Sequence, residues 1–361
     1  MSQKIRVDYV WLDGYTPVQN LRSKIRIVEV DKLPTTAKQI PEWGFDGSST
    51  QQAPGDDSDL VLKPVYMVNN PMNDENDGWD SFIVLCEVML PNGKPHPSNT
   101  RAKLQKLKKN DILFSAEQEY VILDNRSIRP LGWPMKENQV VFPQPQGRYY
   151  CGSGNFVQGR NFVEKHTGMC HKANLHIEGT NAEVMLSQWE YQLGVLSATD
   201  LADELWIARY IMERLSEYFN VIISYDPKPI AGDWNGSGCH INFSTKCMRD
   251  NGYSEDEVKL IVDQLEKDHN EHISVCGVGN ERRLTGDHET CHINKFKSGI
   301  GDRGASVRIP SSVIKGDNFY MEDRRPAANC DPYSVLFSLT NSLVAIEKTR
   351  KSKSKAKAVT A

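Results

Sequence analysis

Apolar residues gather early in the chain into three runs, 7–12, 25–30 and 82–89, each of strand length. Gly14, Pro17, Pro34, Pro41 and Pro54 punctuate the intervals, so a compact β-rich unit is predicted over residues 1–95. Pro91-Asn-Gly-Lys-Pro-His-Pro97 then interrupts any regular element and marks a domain boundary. A short helix follows, capped between Ser98 and Thr100, with Leu104 and Leu107 on one face. Farther on, Leu201, Leu205, Ala208, Met212, Leu215 and Phe219 recur at three- and four-residue steps, predicting a long amphipathic helix opened by Asp200. Ser254 and Glu257 form a capping box ahead of Val258, Ile261 and Leu265. Asp331-Pro332 supplies an N-cap and first turn for a final helix. Strands are predicted between these helices, so the second domain, 98–347, mixes both. Residues 348–357 carry Lys or Arg at most positions with no apolar face, and 348–361 is read as a solvated, mobile tail.

One predicted strand carries unusual cargo. In Phe114-Ser-Ala-Glu117-Gln-Glu119-Tyr-Val-Ile-Leu123, alternation puts both glutamates on one face and Ala116, Gln118 and Tyr120 on the other. A solvent-facing polar edge would be the ordinary explanation. The apolar run 121–123 argues instead that the strand enters a core. Carboxylates held side by side there repel unless a proton or a divalent cation intervenes.

Composition narrows the partners. With 361 residues, 25% charged, 39% hydrophobic and a formal net charge of -4, the chain has an ordinary soluble make-up and no bias toward nucleic acid. No apolar leader opens it and no run of about 18 apolar residues occurs, so no membrane partner is expected and the cytosol is the expected compartment. The 8 cysteines include no Cys-x-x-Cys pair, which favours reduced packing thiols over a zinc or dithiol site.

Nucleotide motifs of the phosphate-loop kind are missing. Gly299-Ile-Gly301-Asp-Arg-Gly304 fits Gly-x-Gly-x-x-Gly but leads into Ala-Ser-Val-Arg-Ile-Pro rather than a helix. Phosphates would then have to be met by metals and arginines. After Gly236-Ser-Gly238, strand alternation places His240, Asn242 and Ser244 on one face. Within 188–193, Gln188, Glu190 and Gln192 alternate with Trp189, Tyr191 and Leu193, so Glu190 also lines a wall. Arg303, Arg308, Arg324 and Arg325 cluster in two short segments, with Glu322 on the face of Arg324. With Glu183 from the same 181–193 stretch, five glutamates, one histidine and several arginines point to two cations and a phosphorylated intermediate.

These stretches together resemble the glutamine synthetase family. The resemblance rests on Glu42-Trp-Gly-Phe-Asp46-Gly-Ser-Ser49-Thr, Glu117-Gln-Glu119, Gly179-Thr-Asn-Ala-Glu183, Gly238-Cys-His240-Ile-Asn242-Phe-Ser244, Arg283-Leu-Thr-Gly-Asp-His288-Glu289-Thr, Arg308-Ile-Pro and Glu322-Asp-Arg324-Arg-Pro. Their order and spacing are similar to the shorter, eukaryotic class, from Tyr9 to the last helix.

The resemblance implies an α+β fold: a β-grasp N-terminal domain, then a catalytic domain with a curved antiparallel sheet flanked by helices. It implies ATP-dependent ligation of ammonia to the γ-carboxylate of L-glutamate through γ-glutamyl phosphate. Two or more Mg2+ or Mn2+ ions per site are implied, one on Glu117, His240 and Glu322 and another on Glu119, Glu183 and Glu190. Asn242, Ser244, Arg308 and Tyr320 would meet ATP; Asn235, Gly236, Arg283 and Arg324 would fix glutamate. Asp46 with Ser49 would take ammonium, while Arg303 clamps phosphoryl oxygens and Glu289 shields the intermediate. The implied assembly is a homo-decamer of two stacked five-membered rings whose sites are shared between neighbours.

Departures from the family pattern, among them Asp287 where an aromatic often precedes the histidine, and two competing readings accompany the resemblance. Leu113 stands where relatives often have an adenine-packing aromatic, and Asp302 and Gly304 where some have Asn and Ser. A γ-glutamyl ligase for an organic amine would not need Asp46, and an inactive scaffold would have lost ligands that are all present here.

Overall fold

The computed structural model describes residues 2–73, 78–107, 111–136, 139–140, 142–314, 316 and 319–359. Strands β1 (Gln3–Leu12), β2 (Leu21–Val30), β3 (Trp43–Asp46), β4 (Asp59–Asn69) and β5 (Asp80–Met89) form one sheet in the order β2-β1-β5-β4-β3. β1 and β5 run parallel at its centre, and the other neighbours are antiparallel. Both faces of this centre are covered. Ile5, Val7, Tyr9 and Trp11 pack with Phe45, Leu62 and Val84 in the domain's own core. Val10, Ile83 and Leu85 point the opposite way and join the large core of the second domain. That double duty is why β5 is apolar from Phe82 to Met89 except at Glu87, and why β1, which alternates through Asp8, becomes continuously apolar from Tyr9.

The junction is also tied by charge. Helix α1 (Thr100–Gln105) begins at Asn99, whose side chain accepts from the Ala102 amide at 3.0 Å. Its Arg101 grips Asp203 with two bonds of 2.8 Å and lies 3.4 Å from Glu87 on β5. All three side chains are buried, so losing one would strand a charge.

The second sheet comprises β6 (Leu113–Asp124), β9 (Ile177–Ala182), β10 (Gln188–Leu196), β11 (Val221–Ser224), β12 (Cys239–Ser244), β13 (Ser298–Ile300), β14 (Val307–Ile309) and β15 (Met321–Asp323). A separate hairpin joins β7 (Met135–Lys136) and β8 (Gln139–Val140). The main order is β13-β14-β15-β12-β6-β10-β9, with β11 on the far end of β6. Pairing is antiparallel except between β13 and β14. The Gly299–Gly304 segment thus turns between two strands, and no helix N-terminus follows it.

Helices α2 (Arg160–Lys172), α3 (Ala198–Phe219), α4 (Lys246–Asn251), α5 (Glu255–Lys267), α6 (His269–Ile273) and α7 (Pro332–Val359) accompany this sheet. The periodic residues of α3 are buried as their spacing predicts, Phe219 packing from the rim. Its N-cap is Ser197 rather than Asp200, because the Ser197 hydroxyl accepts the Asp200 amide and leaves Asp200 in the first turn. Ser254 caps α5, and Asp331 takes the amides of Tyr333 and Ser334 at the start of α7. The backbone of α7 does not stop at 347 but continues to Val359, since no Gly or Pro intervenes and Lys, Arg and Ala favour helix. Residues 360–361 of the expected tail lie outside the described residues.

Candidate active site

Strand β6 is the middle of the site, not a polar edge. β12 flanks it on one side, pairing His240 with Glu117, and β10 flanks it on the other, pairing Glu190 with Glu119 and Gln192 with Glu117. Ala116, Gln118 and Tyr120 are buried beneath, as alternation requires. Two strands out from β6, Glu322 on β15 pairs with Asn242, and Arg308 on β14 pairs with Glu322. Strand periodicity and register thus bring together side chains separated by more than two hundred positions.

The imidazole of His240 is the meeting point. Its Nδ1 lies 3.4 Å from Glu117 Oε2 and 3.5 Å from Glu322 Oε1, and its Nε2 lies 4.0 Å from Glu119 Oε1. Arg283 approaches Nε2 at 2.9 Å. A guanidinium can only donate, so Nε2 accepts and Nδ1 carries the ring proton toward the two carboxylates. Burial, then the nearby Arg324, pushes this histidine well below its usual pKa. Potential donor atoms fall into two compact clusters, Glu117–His240–Glu322 and Glu119–Glu190–His240, each within 4.8 Å. Glu183 lines the same cavity but stands outside the second cluster, held by Asn181 Nδ2 at 2.8 Å and the Val184 amide at 3.2 Å.

Carboxylates outnumber their compensation here. Burial raises Glu119 to about 7, Glu183 to about 8 and Glu190 to about 9; facing carboxylates add to the rise, while Arg283 opposes it at Glu119. Glu322 alone is matched twice, by Arg324 at 2.5 Å and Arg308 at 2.7 Å. A pocket whose acids hold protons near neutrality suits a divalent cation, with oxygen donors and one imidazole as ligands.

A titration outcome follows. Unfolded glutamates titrate at about 4.3 and unfolded histidines at about 6.5. Below the histidine range the lowered His166, His240 and His272 oppose the raised acids, but from there up to about 9 the folded metal-free protein holds protons on these glutamates that the unfolded chain has lost. Stability then falls as pH rises through that window. The melting temperature of chelator-treated protein is expected to decline from about pH 7 to about pH 9, and saturating Mn2+ should remove the decline. A metal-free profile that is flat or rising contradicts this charge balance.

The cavity encloses ≈ 170 Å³ and takes its walls from Asn235, Gly236, Arg283, Glu289, Arg303, Arg308 and Arg324 besides the five ligand-candidate acids and the imidazole. Gly236 is required by space: a Cβ there would sit 2.4 Å from the Pro227 carbonyl and 2.6 Å from Arg283 Cγ. His288 and Glu289 both adopt left-handed backbone, at φ 51 and 60, which turns Glu289 into the cavity mouth. The loop is pinned by His288 Nε2 to Asp233 at 2.8 Å and by Arg324, which donates to the Glu289 carbonyl at 3.5 Å.

A wider cleft of ≈ 530 Å³ adjoins it, sharing Glu117 and Gln192. Asn242, Ser244 and Tyr320 line this second space, with Leu113 and Arg249. Asn242 donates to Glu117 at 2.8 Å, coupling the cleft wall to the first cluster. Asp46 and Ser49 line neither space. Asp46 ends β3, exposed, and accepts from both Ser48 and Ser49, which hold its pKa down to about 2. Gln188 and Gln192 were not among the sequence-derived site residues, yet they donate to Glu119 and Glu190. Their position on the Glu190 face was the available signal. Tyr150 and Asn181 also line the cavity; Tyr150 sits in an irregular loop that offers no period.

Comparison with known proteins agrees with this geometry. Residues 3–91 match the glutamine synthetase β-grasp domain model and residues 98–265 match the glutamine synthetase catalytic domain model. The chain therefore belongs to the glutamine synthetase family. Its relatives include a Yarrowia lipolytica glutamine synthetase, 45% identical over 94% of this chain and 90% of that one. Another is a chloroplastic glutamine synthetase of Chlamydomonas reinhardtii, 46% identical over 91% and 87%. A rice cytosolic isozyme is 45% identical over 92% of each chain. These eukaryotic proteins place the chain in the eukaryotic branch. A cryo-electron microscopy structure of Plasmodium falciparum glutamine synthetase shares the fold at a TM-score of 0.74 and 18% identity, covering 96% of this chain and 72% of that one.

Proposed function

We propose that the chain is a glutamate–ammonia ligase that forms glutamine, ADP and phosphate from ATP, L-glutamate and ammonia through γ-glutamyl phosphate. The observation that carries this reading is the pair of ligand clusters sharing His240, set where an arginine-walled cavity opens into the larger cleft. Glu117, His240 and Glu322 would hold one Mg2+ or Mn2+ ion, and Glu119, Glu190 and Glu183 a second. Such cations supply charge neutralisation for the transferring phosphoryl group.

The protein's own residues do the rest. A carboxylate is a poor acyl donor because oxide does not leave; phosphorylation makes phosphate the leaving group. Asn242, Ser244 and Tyr320 receive the nucleotide from the wider cleft, and Arg308 and Arg303 meet phosphoryl oxygens on the cavity side. Asn235, Gly236, Arg283 and Arg324 hold glutamate with its γ-carboxylate toward Glu117. Glu289 narrows the mouth against water, which would otherwise hydrolyse the acyl phosphate. Ammonium becomes a nucleophile only on losing a proton. Asp46, ionised at any physiological pH and flanked by the Ser49 hydroxyl, attracts the cation and accepts that proton.

Since Asp46 and Ser49 line neither space within their own chain, the site is completed by the β3 edge of an adjacent subunit. Repeated head to tail, that contact closes a ring, and two stacked five-membered rings are the proposed assembly. Its eight free thiols suit a reducing compartment, and among the described residues no helix is long and apolar enough to cross a membrane.

Phosphate release in the presence of ATP, Mg2+ and glutamate tests the assignment, with ammonium compared against methylamine and larger amines. Ammonium is expected to support the fastest turnover. Faster release with an organic amine would reassign the enzyme to amine ligation, and no release with any amine would reject ligase activity.

A further inference from the structure

Behind the strand that bears the candidate ligands lies a cation with no acid to pair with. Arg209, on α3, is buried, and among the described residues no carboxylate lies within salt-bridge distance of it. Its guanidinium instead donates from Nε and Nη2 to Gln118 Oε1, at 3.0 and 2.6 Å. It also reaches the carbonyls of Cys330 and Ala328, both at 3.0 Å. The ring of Trp206 faces it at 4.7 Å and that of Tyr225 at 5.4 Å. Glu213, one helical turn along, feels its field without bonding to it.

Gln118 is the residue between Glu117 and Glu119, pointing to the opposite side of β6. Its amide donates back to the Glu119 carbonyl at 2.8 Å and across to the Ala328 carbonyl at 3.2 Å. Ala328 and Cys330 follow directly on the segment that carries Glu322 and Arg324. One guanidinium thus clamps the backs of both ligand-bearing segments. A buried charge left unpaired is expensive, so a merely structural cross-link would be better served by a neutral group. A position behind the ligand-bearing strand gives the guanidinium a use: its fork fixes the backs of both segments at once.

We infer that Arg209 is a positioning residue for the metal site, acting through Gln118 and the Ala328 and Cys330 carbonyls to hold Glu117, Glu119 and the Glu322 segment at ligating geometry. The inference rests on the proposed reading of Glu117, Glu119, Glu190, His240 and Glu322 as ligands. It concerns affinity for the cation rather than any chemical step.

The measurement is Mn2+ binding to metal-free full-length protein, followed by electron paramagnetic resonance of free Mn2+. Arg209→Met is expected to weaken Mn2+ binding about 10-fold or more, in the range found when groups that orient ligands are lost. Arg209→Lys, which keeps the charge without the fork, should lie between Met and wild type. Gln118→Leu, which keeps the charge but removes the main acceptor, should also weaken binding and serves if Arg209→Met does not fold. Leu62→Ala, a buried truncation in the first domain's own core, controls for general destabilisation and should leave Mn2+ affinity unchanged. Unaltered affinity in folded Arg209→Met, or in Gln118→Leu, overturns the inference while leaving the ligand assignment intact. A wild-type protein that binds no Mn2+ overturns that assignment, and this inference with it.

Discussion

Glu117→Ala is expected to abolish glutamate-dependent phosphate release, by on the order of 10³-fold or more, while the circular dichroism spectrum stays native. Removing a single preorganised donor from a site of developing charge typically costs about 10²–10³-fold, and Glu117 serves more than one neighbour. Its two oxygens face His240 at 3.4 Å and Asn242 at 2.8 Å, and its side chain lines both the cavity and the wider cleft. The variant separates function from folding because it relieves repulsion as it removes a ligand. Metal-free Glu117→Ala should melt no lower than metal-free wild type, yet gain less from added Mn2+, since a bound ion stabilises in proportion to its occupancy. Normal turnover in the variant, or in wild type treated with chelator, would remove the basis for the metal assignment.

Subunits carrying Asp46→Ala and subunits carrying Glu117→Ala, each nearly inactive alone, are expected to recover roughly a quarter of wild-type activity when co-assembled in equal amounts. That fraction is the chance that a subunit with intact Glu117 sits beside one with intact Asp46. The expectation comes from position: Asp46 closes the edge strand β3, bonded only to β4 among the described residues, and lines neither space in its own chain. Mixed particles confirmed by mass that are no more active than the parent variants would show that each chain completes its own site. A wild-type protein that sediments as an active monomer would show the same without mutagenesis.

Residue parity explains how much of this site was legible beforehand. Glu117 and Glu119, then His240, Asn242 and Ser244, then Glu190, each fall on the polar side of a strand whose other side is apolar, and a period of two admits only two answers. Register is different. Nothing local announces that His240 lies opposite Glu117 or Glu190 opposite Glu119, because those pairs depend on which strands become neighbours. Arg209 and Gln118 meet from 91 positions apart, so neither composition nor period connects them. Glu183 sits just past the end of β9 in a turn, where alternation lapses, and its carboxylate is aimed by Asn181 and the Val184 amide instead. The continuation of the last helix to Val359 is announced by no apolar period, because a helix can extend on intrinsic propensity alone.

The packing of Val10, Ile83 and Leu85 into the second domain's core has a consequence at the scale of the assembly. With the two domains sharing one interior, the direction in which β3 projects is set relative to β6 inside every subunit, before any neighbour arrives. In the ring proposed above, that direction would be the angular step from one member to the next, and five members would require a fifth of a turn. A change of side-chain volume at Leu85 that tilts one domain on the other would leave each chain folded but alter the step. The ring would then fail to meet its own beginning, and the same contact that closes it would grow an open helical filament.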